Sequence, residues 1–205
     1  MPPVPEAPTV RLVTTAEIPR AAAALGAAFH DDPVMHWLFP RDPGNRRKAG
    51  LFALQMKRYN VPRQAAYTTD DLAGAAMWSP PGTWRVGPVD IVRDLPTILR
   101  LIGTRFVVAM RGLALVEKRH PTAPHWYLGA LGTEPAKQGR GIGGALMAPV
   151  LDVCDRRGLP AYLESSKERN LAFYRRYGFE VTDTVSLPDG PPIWLMWREP
   201  RTAGS

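Results

Sequence analysis

The sequence predicts a single α/β domain built on a mixed, mostly antiparallel central sheet flanked by helices. Three observations predict it. The chain has 205 residues, the size of one domain. Short turns at Thr69-Asp70-Asp71 and Pro188-Asp189-Gly190 join strand-like runs as hairpins. Two other stretches alternate strand, helix and strand, so hairpins and crossovers share one sheet. No repeat or linker divides the chain, so the domain is expected over residues 9–200, with flexible tails at 1–8 and 201–205.

Thr9 to Val13 reads as the first strand. Thr15 is the expected N-cap of a helix reaching Phe29, with Ile18, Ala22, Leu25 and Phe29 on one face. His30-Asp31-Asp32-Pro33 breaks it, and Val34 to Phe39 reads as a helical turn. Asp42-Pro43 opens a helix carrying Leu51, Leu54 and Tyr59. Ala65 to Thr69 and Leu72 to Trp78 form the first hairpin. Val89 to Val116 is helical with a break near Gly103, and His120 to Pro124 is a loop. A strand at His125 to Thr133 leads through a Gly-rich turn into a helix from Gly141 to Arg157. A strand at Ala161 to Glu164, a helix at Glu168 to Tyr177 and strands at Phe179 to Val185 and Ile193 to Arg198 complete the chain.

Composition excludes several classes. The net charge is +7, but no run of Lys and Arg is long enough to form a nucleic-acid arm. No apolar run approaches the roughly 20 residues that cross a bilayer. The Pro-rich start lacks the basic-then-apolar pattern of a signal peptide. The expectation is a soluble cytoplasmic protein that binds neither nucleic acid nor membrane. Cys154 is the only cysteine, so no intramolecular disulfide forms, and its apolar spacing marks a core residue. No Cys or His cluster has metal-ligand spacing, so no metal is expected.

Gln138-Gly139-Arg140-Gly141-Ile142-Gly143-Gly144 lies between a strand and an amphipathic helix. The free N–H groups and positive dipole end of such a helix form an anion site, and glycines let a phosphate approach. Gly139, Gly141 and Gly144 also spell the dinucleotide fingerprint, with Glu164 at the right interval. Glu134-Pro135-Ala136-Lys137 separates strand from glycines, however, and too little chain follows for that fold. A Walker A loop fails because no Gly-Lys-Ser/Thr ends the run.

Gln138, Gly141 and Gly143, flanked by Pro135 and Ile142, resemble the pyrophosphate loop of the GNAT acetyltransferase superfamily. Asn170, Tyr174 and Tyr177-Gly178-Phe179 are similar to that family's segment after the fifth strand. Pro8 to Thr14, Gly158 to Ser165 and Leu187 to Met196 look like puromycin N-acetyltransferases and their relatives. The resemblance implies a GNAT fold and transfer of acetyl from acetyl-CoA to an amine by direct attack through a tetrahedral intermediate. It implies a small-molecule acceptor, with an aminonucleoside such as puromycin leading, and antibiotic resistance as a candidate role. The alternatives are a protein or peptide acceptor, or a non-catalytic acetyl-CoA-binding regulator. The protein is expected as a monomer or homodimer.

The same resemblance assigns site residues. Gln138, Gly139, Arg140, Gly141, Ile142, Gly143 and Gly144 hold the pyrophosphate, and Leu131-Gly132-Thr133 pair with the pantetheine arm. Asn170 and Tyr177 contact the cofactor, although Asn170 also suits an N-cap. Tyr174 is the general acid, because a phenol with an ordinary pKa near 10 stays protonated at neutral pH. Glu164, at a strand end, is either the general base, directly or through water, or the partner of a nearby arginine; the remaining alternative is that the amine loses its proton to water with no dedicated base. His30, Asp31 and Asp32 border the acceptor pocket or form a turn. His125 reads as a strand-start residue. Trp78, Trp84, Trp126 and Trp194 are candidates for a flat acceptor slot.

Overall fold

The computed structural model describes residues 8–201. The expected tails therefore lie outside the described residues, apart from Pro8 and Arg201. One seven-stranded sheet runs in the order β1-β2-β3-β4-β5-β7-β6. Its strands are β1 (Val10–Leu12), β2 (Ala66–Thr69), β3 (Gly74–Ser79), β4 (Trp126–Thr133), β5 (Ala161–Ser165), β6 (Glu180–Ser186) and β7 (Pro192–Arg198). Every neighbouring pair is antiparallel except β4 and β5. The predicted fold class stands.

The helices are α1 (Ile18–Ala28), α2 (Pro33–Leu38), α3 (Arg46–Gln55), α4 (Pro88–Ile102), α5 (Phe106–Glu117), α6 (Ile142–Arg157) and α7 (Leu171–Arg176). The cap of the first helical segment is Thr14, not Thr15. Glu17 lies three residues beyond Thr14, and its carboxylate accepts from the Thr14 N–H at 3.0 Å and hydroxyl at 2.8 Å. A 3-10 turn, Thr15–Glu17, then leads into α1. The helix expected from Asp42 starts later, at Arg46, because the Asp42 carboxylate accepts from the Arg47 and Lys48 N–H groups.

Alternation along β3 divides the core. Ala76 and Trp78 pack with Leu146, Met147 and Val150 of α6, whereas Ala75 and Met77 pack with Ala22 and Leu25 of α1. A third cluster joins Val116 of α5 to Tyr162, Leu195 and Ile193. The Gly103 break holds, since its φ of +63° ends α4. Cys154 is buried in the core, as expected. No helix among the described residues is long and apolar enough to cross a membrane.

Candidate active site

The parallel pair at the sheet centre comes apart. β4 and β5 pair only at Trp126–Ala161, Tyr127–Tyr162 and Leu128–Leu163, yet β4 continues to Thr133 and β5 to Ser165. The separation begins at a bulge. Trp78 pairs Leu128 and Met77 pairs Ala130, leaving Gly129 as the extra residue. Leu131, Gly132 and Thr133 thus keep their β3 partners on one edge while their other edge has no β5 residue opposite. Gly132 is glycine because a Cβ there would stand 2.6 Å from the Ala28 Cβ of α1.

The glycine loop closes the same end. α6 is the crossover between β4 and β5, so its N-terminus lies beyond the C-terminal end of β4. Gly139 and Gly141 both have φ of +78°, and a Cβ at either would meet nothing within 4 Å. Conformation and open space, rather than crowding, explain these two glycines. Gly141 caps α6, and the first intrahelical bond is Ala145 N–H to Gly141 C=O at 3.1 Å. The N–H groups of Ile142, Gly143 and Gly144 precede it and have no intrahelical acceptor. The Ile142 side chain is buried, leaving its N–H for the loop. Gly143 and Gly144 have packing reasons instead. A Cβ on Gly143 would lie 3.2 Å from the Phe173 ring, and one on Gly144 would lie 1.8 Å from the Tyr177 hydroxyl. The Gln138 side chain donates to the Thr133 carbonyl at 3.1 Å, tying the loop to β4. Arg140 is exposed.

Tyr174 and Glu164 belong to different faces of the sheet. Tyr174 is buried in the α6 cluster, edge-on to Phe173 and Phe179. Burial raises its phenol pKa well above 10, and the charge of Asp32 adds to this. Asn170 holds the N-cap position of α7 without a capping side-chain bond. Glu164 alternates with Leu163 of the α6 cluster and shares the face of Tyr162. The expected arginine partner is absent among the described residues. The Glu164 carboxylate instead accepts from the Tyr127 and Tyr162 hydroxyls, each at 3.2 Å, and lies 3.4 Å from His120 Nδ1.

A cleft of about 380 Å³ lies beyond β5, lined by Asp31, Pro33, Ser166, Lys167, Arg169 and Trp194 among others. Asp32 caps α2 by accepting from Met35 N–H at 2.9 Å, and it also accepts from the Ser166 hydroxyl. Lys167 and Arg169 both pair with Asp31. Burial pushes the Asp31 pKa up, but hydrogen bonds from Lys167 and Arg169 outweigh this and hold it at about 2.

The Acetyltransferase (GNAT) family matches residues 33–179, most of the chain. The chain belongs to the GNAT acetyltransferase family. An uncharacterised N-acetyltransferase of Schizosaccharomyces pombe is 28% identical over 206 residues, covering 89% of this chain and 80% of the relative. A crystal structure from Corynebacterium glutamicum, described as histone acetyltransferase HPA2 and related acetyltransferase, has a TM-score of 0.72 at 26% identity. It covers 98% of this chain and all of that one. The Drosophila melanogaster polyamine N-acetyltransferase, which forms N-acetylagmatine, has a TM-score of 0.66 at 16% identity, with 93% and 99% covered.

In this GNAT acetyltransferase the proposed four-tryptophan slot is not assembled. Trp194 lines the cleft, but Trp78 is fully buried, Trp126 packs against the α6 cluster and Trp84 stacks on His120. Asp31 borders this cleft, whereas Asp32 takes the turn role as the cap of α2. His125 does precede a strand, yet its Nε2 also stands 3.0 Å from His120 Nε2. His120 itself was hidden in a loop. The recurrence of two histidines five residues apart ahead of a strand was its one available signal.

Proposed function

We propose that this acetyltransferase transfers acetyl from acetyl-CoA to a primary amine of a small molecule. The observation that carries this is the gap between β4 and β5, which opens beside the N-terminus of α6. The residues present fit such a donor. Gly139 and Gly141 leave open space where any Cβ would protrude, as a pyrophosphate cradle needs. The unpaired edge of Leu131, Gly132 and Thr133 supplies backbone hydrogen bonds to an extended arm, as an added strand would use them. Acetyl-CoA supplies the activated acyl group as a thioester.

The chain's own groups divide the remaining work. N–H groups at Gln138 to Gly144 hold negative charge, with Arg140 adding a charge-assisted contact. Tyr177 stands beside Gly144 of this loop, and Asn170, at the start of α7, is assigned to the cofactor by the family resemblance. Glu164 takes the proton of the attacking amine, and Tyr174 gives a proton to the departing thiolate. Tyr174 is buried, and the Glu164 side chain is largely covered at 18% exposure. Positioning of the two reactants contributes roughly 7–11 kcal/mol.

A small acceptor suits the cleft of about 380 Å³, with Trp194 on its wall. The likeness to a polyamine N-acetyltransferase supports an amine of this size. Resemblance at both ends of the chain to puromycin N-acetyltransferases makes an aminonucleoside the first to try. The likeness to a structure described as histone acetyltransferase HPA2 and related acetyltransferase supports a protein amine as the second class.

The test is thiol release from acetyl-CoA, with puromycin, polyamines and basic peptides as acceptors. Release with a small amine is the expected result. Release with peptides alone overturns the small-molecule reading. Acetyl-CoA binding without release on any acceptor favours a regulator.

A further inference from the structure

Glu164 sits at one end of a buried chain of rings. The chain runs from Glu164 to His120, to His125 and to the carbonyl of Ala123. His120 Nε2 is 3.0 Å from His125 Nε2, and His125 Nδ1 is 2.7 Å from the Ala123 oxygen. His120 and His125 are 7% and 2% exposed, so water does not complete these contacts.

The geometry dictates where the protons sit. A carbonyl only accepts, so His125 Nδ1 carries a proton. Burial lowers the His125 pKa, which leaves its Nε2 a bare acceptor. The proton between the two Nε2 atoms therefore belongs to His120. The remaining nitrogen, His120 Nδ1, faces a Glu164 oxygen at 3.4 Å. Two lone pairs at that separation repel, whereas one proton between them makes an ion pair. Two features place this proton on the ring. Tyr127 and Tyr162 both donate to Glu164, and burial holds both phenols protonated, so the carboxyl is met as an acceptor. Trp84 lies stacked on His120, with centroids 3.6 Å apart and planes 21° from parallel, which favours a cationic ring.

We infer that His120 is a positioning residue for Glu164: its ring carries protons on both nitrogens, one donated to His125 and one held against the carboxylate. Other charged groups nearby are already engaged. Asp183 on β6, whose charge reaches Tyr162, pairs with Arg119. Arg85 lies over Trp84, and Glu199 accepts from Trp197 beside His125. A metal does not explain the cluster, because Glu164 and His125 meet opposite nitrogens of one ring and cannot converge on a single ion.

Only the kinetic consequence rests on Glu164 accepting the amine's proton. The decisive measurement is nitrogen NMR of the full protein with 15N-labelled histidine at neutral pH, assigned with His30→Gln, His36→Gln, His120→Gln and His125→Gln. The expected spectrum shows both ring nitrogens of His120 protonated and His125 protonated at Nδ1 alone. A singly protonated His120 overturns the inference. In steady-state assays with whichever amine is turned over, His120→Gln is expected to lower kcat at least about tenfold, with the acetyl-CoA KM within about twofold. Unchanged kcat in His120→Gln removes the positioning role. Wild-type kcat in Glu164→Gln would instead sink the base assignment, and the NMR result would still decide the pairing. If His120→Gln does not fold, His120→Asn serves in the assay and the wild-type spectrum remains decisive.

Discussion

The Tyr177 hydroxyl lies 1.8 Å from where a Cβ on Gly144 would stand. The last glycine of the loop is therefore a packing position between α6 and the end of α7. It lets the two helices close beside the proposed pyrophosphate cradle.

Gly144→Ala is expected to cost about 1–3 kcal/mol of stability through overpacking. It should also raise the KM for acetyl-CoA, because α6 must shift at its N-terminus. Adding Tyr177→Phe should recover part of the lost stability. Gly139→Ala meets no atom within 4 Å, so its cost is only the left-handed backbone, roughly 1–2 kcal/mol. Thermal unfolding of the four proteins separates crowding from backbone strain.

Tyr174→Phe is expected to lower kcat about 10²–10⁴-fold with little change in acetyl-CoA affinity. Its raised pKa adds a pH test. The phenol stays protonated through pH 10, where an ordinary phenol would be half ionised. The kcat profile of the wild type should thus show no alkaline loss from this group up to pH 10. An unaltered kcat in Tyr174→Phe would end its role as the acid.

Glu164→Gln keeps the side chain's shape and removes its basicity. A kcat loss of about 10²–10⁴-fold is expected near neutral pH. The loss should narrow as pH rises past the acceptor amine's own pKa, because the free amine then needs no base. A loss constant at every pH would point to misplacement rather than proton transfer.

Asp31 gives a stability test with a fixed sign. Its folded pKa of about 2 lies below the usual 3.8. The stabilisation is present above the unfolded value and fades as pH falls from about 4 to about 2. Asp31→Asn should be less stable than wild type at pH 7 and indistinguishable near pH 2. Partial exposure of the pair keeps the difference small. Urea unfolding across that range checks it.

Cys154 is fully buried, and burial raises its thiol pKa to about 12. A thiol-reactive dye should leave the native protein unlabelled and modify one thiol per chain only after unfolding. Rapid labelling of the native protein would contradict the buried position.

The elements of this fold were legible because each rests on local chemistry. Alternating apolar residues, the hairpin turns, Gly103 and the glycines before α6 all act over a few neighbours in the chain. Errors arose at ends, where Glu17 selected Thr14 over Thr15 and the Asp42 carboxylate delayed α3. The glycine loop and the Asn170 to Phe179 segment, which carry the family resemblance, were visible for the same local reason. The tryptophan slot was not, since exposure depends on what packs from elsewhere.

By itself the sequence determined the strands, the helices, the glycine loop and the residue types able to do acyl-transfer chemistry. Only the tertiary structure decided how they meet. The register that sets Tyr127 beside Tyr162, and the bulge at Gly129 that ends β4–β5 pairing, depend on contacts between residues 35 or more positions apart. Those contacts open the gap, place Glu164 on the face opposite the α6 cluster and bring His120 to its carboxylate. Hydrophobic and hydrogen-bonding patterns act along the chain and can be read there. Register and burial act across it, and they appear only when the chain has closed on itself.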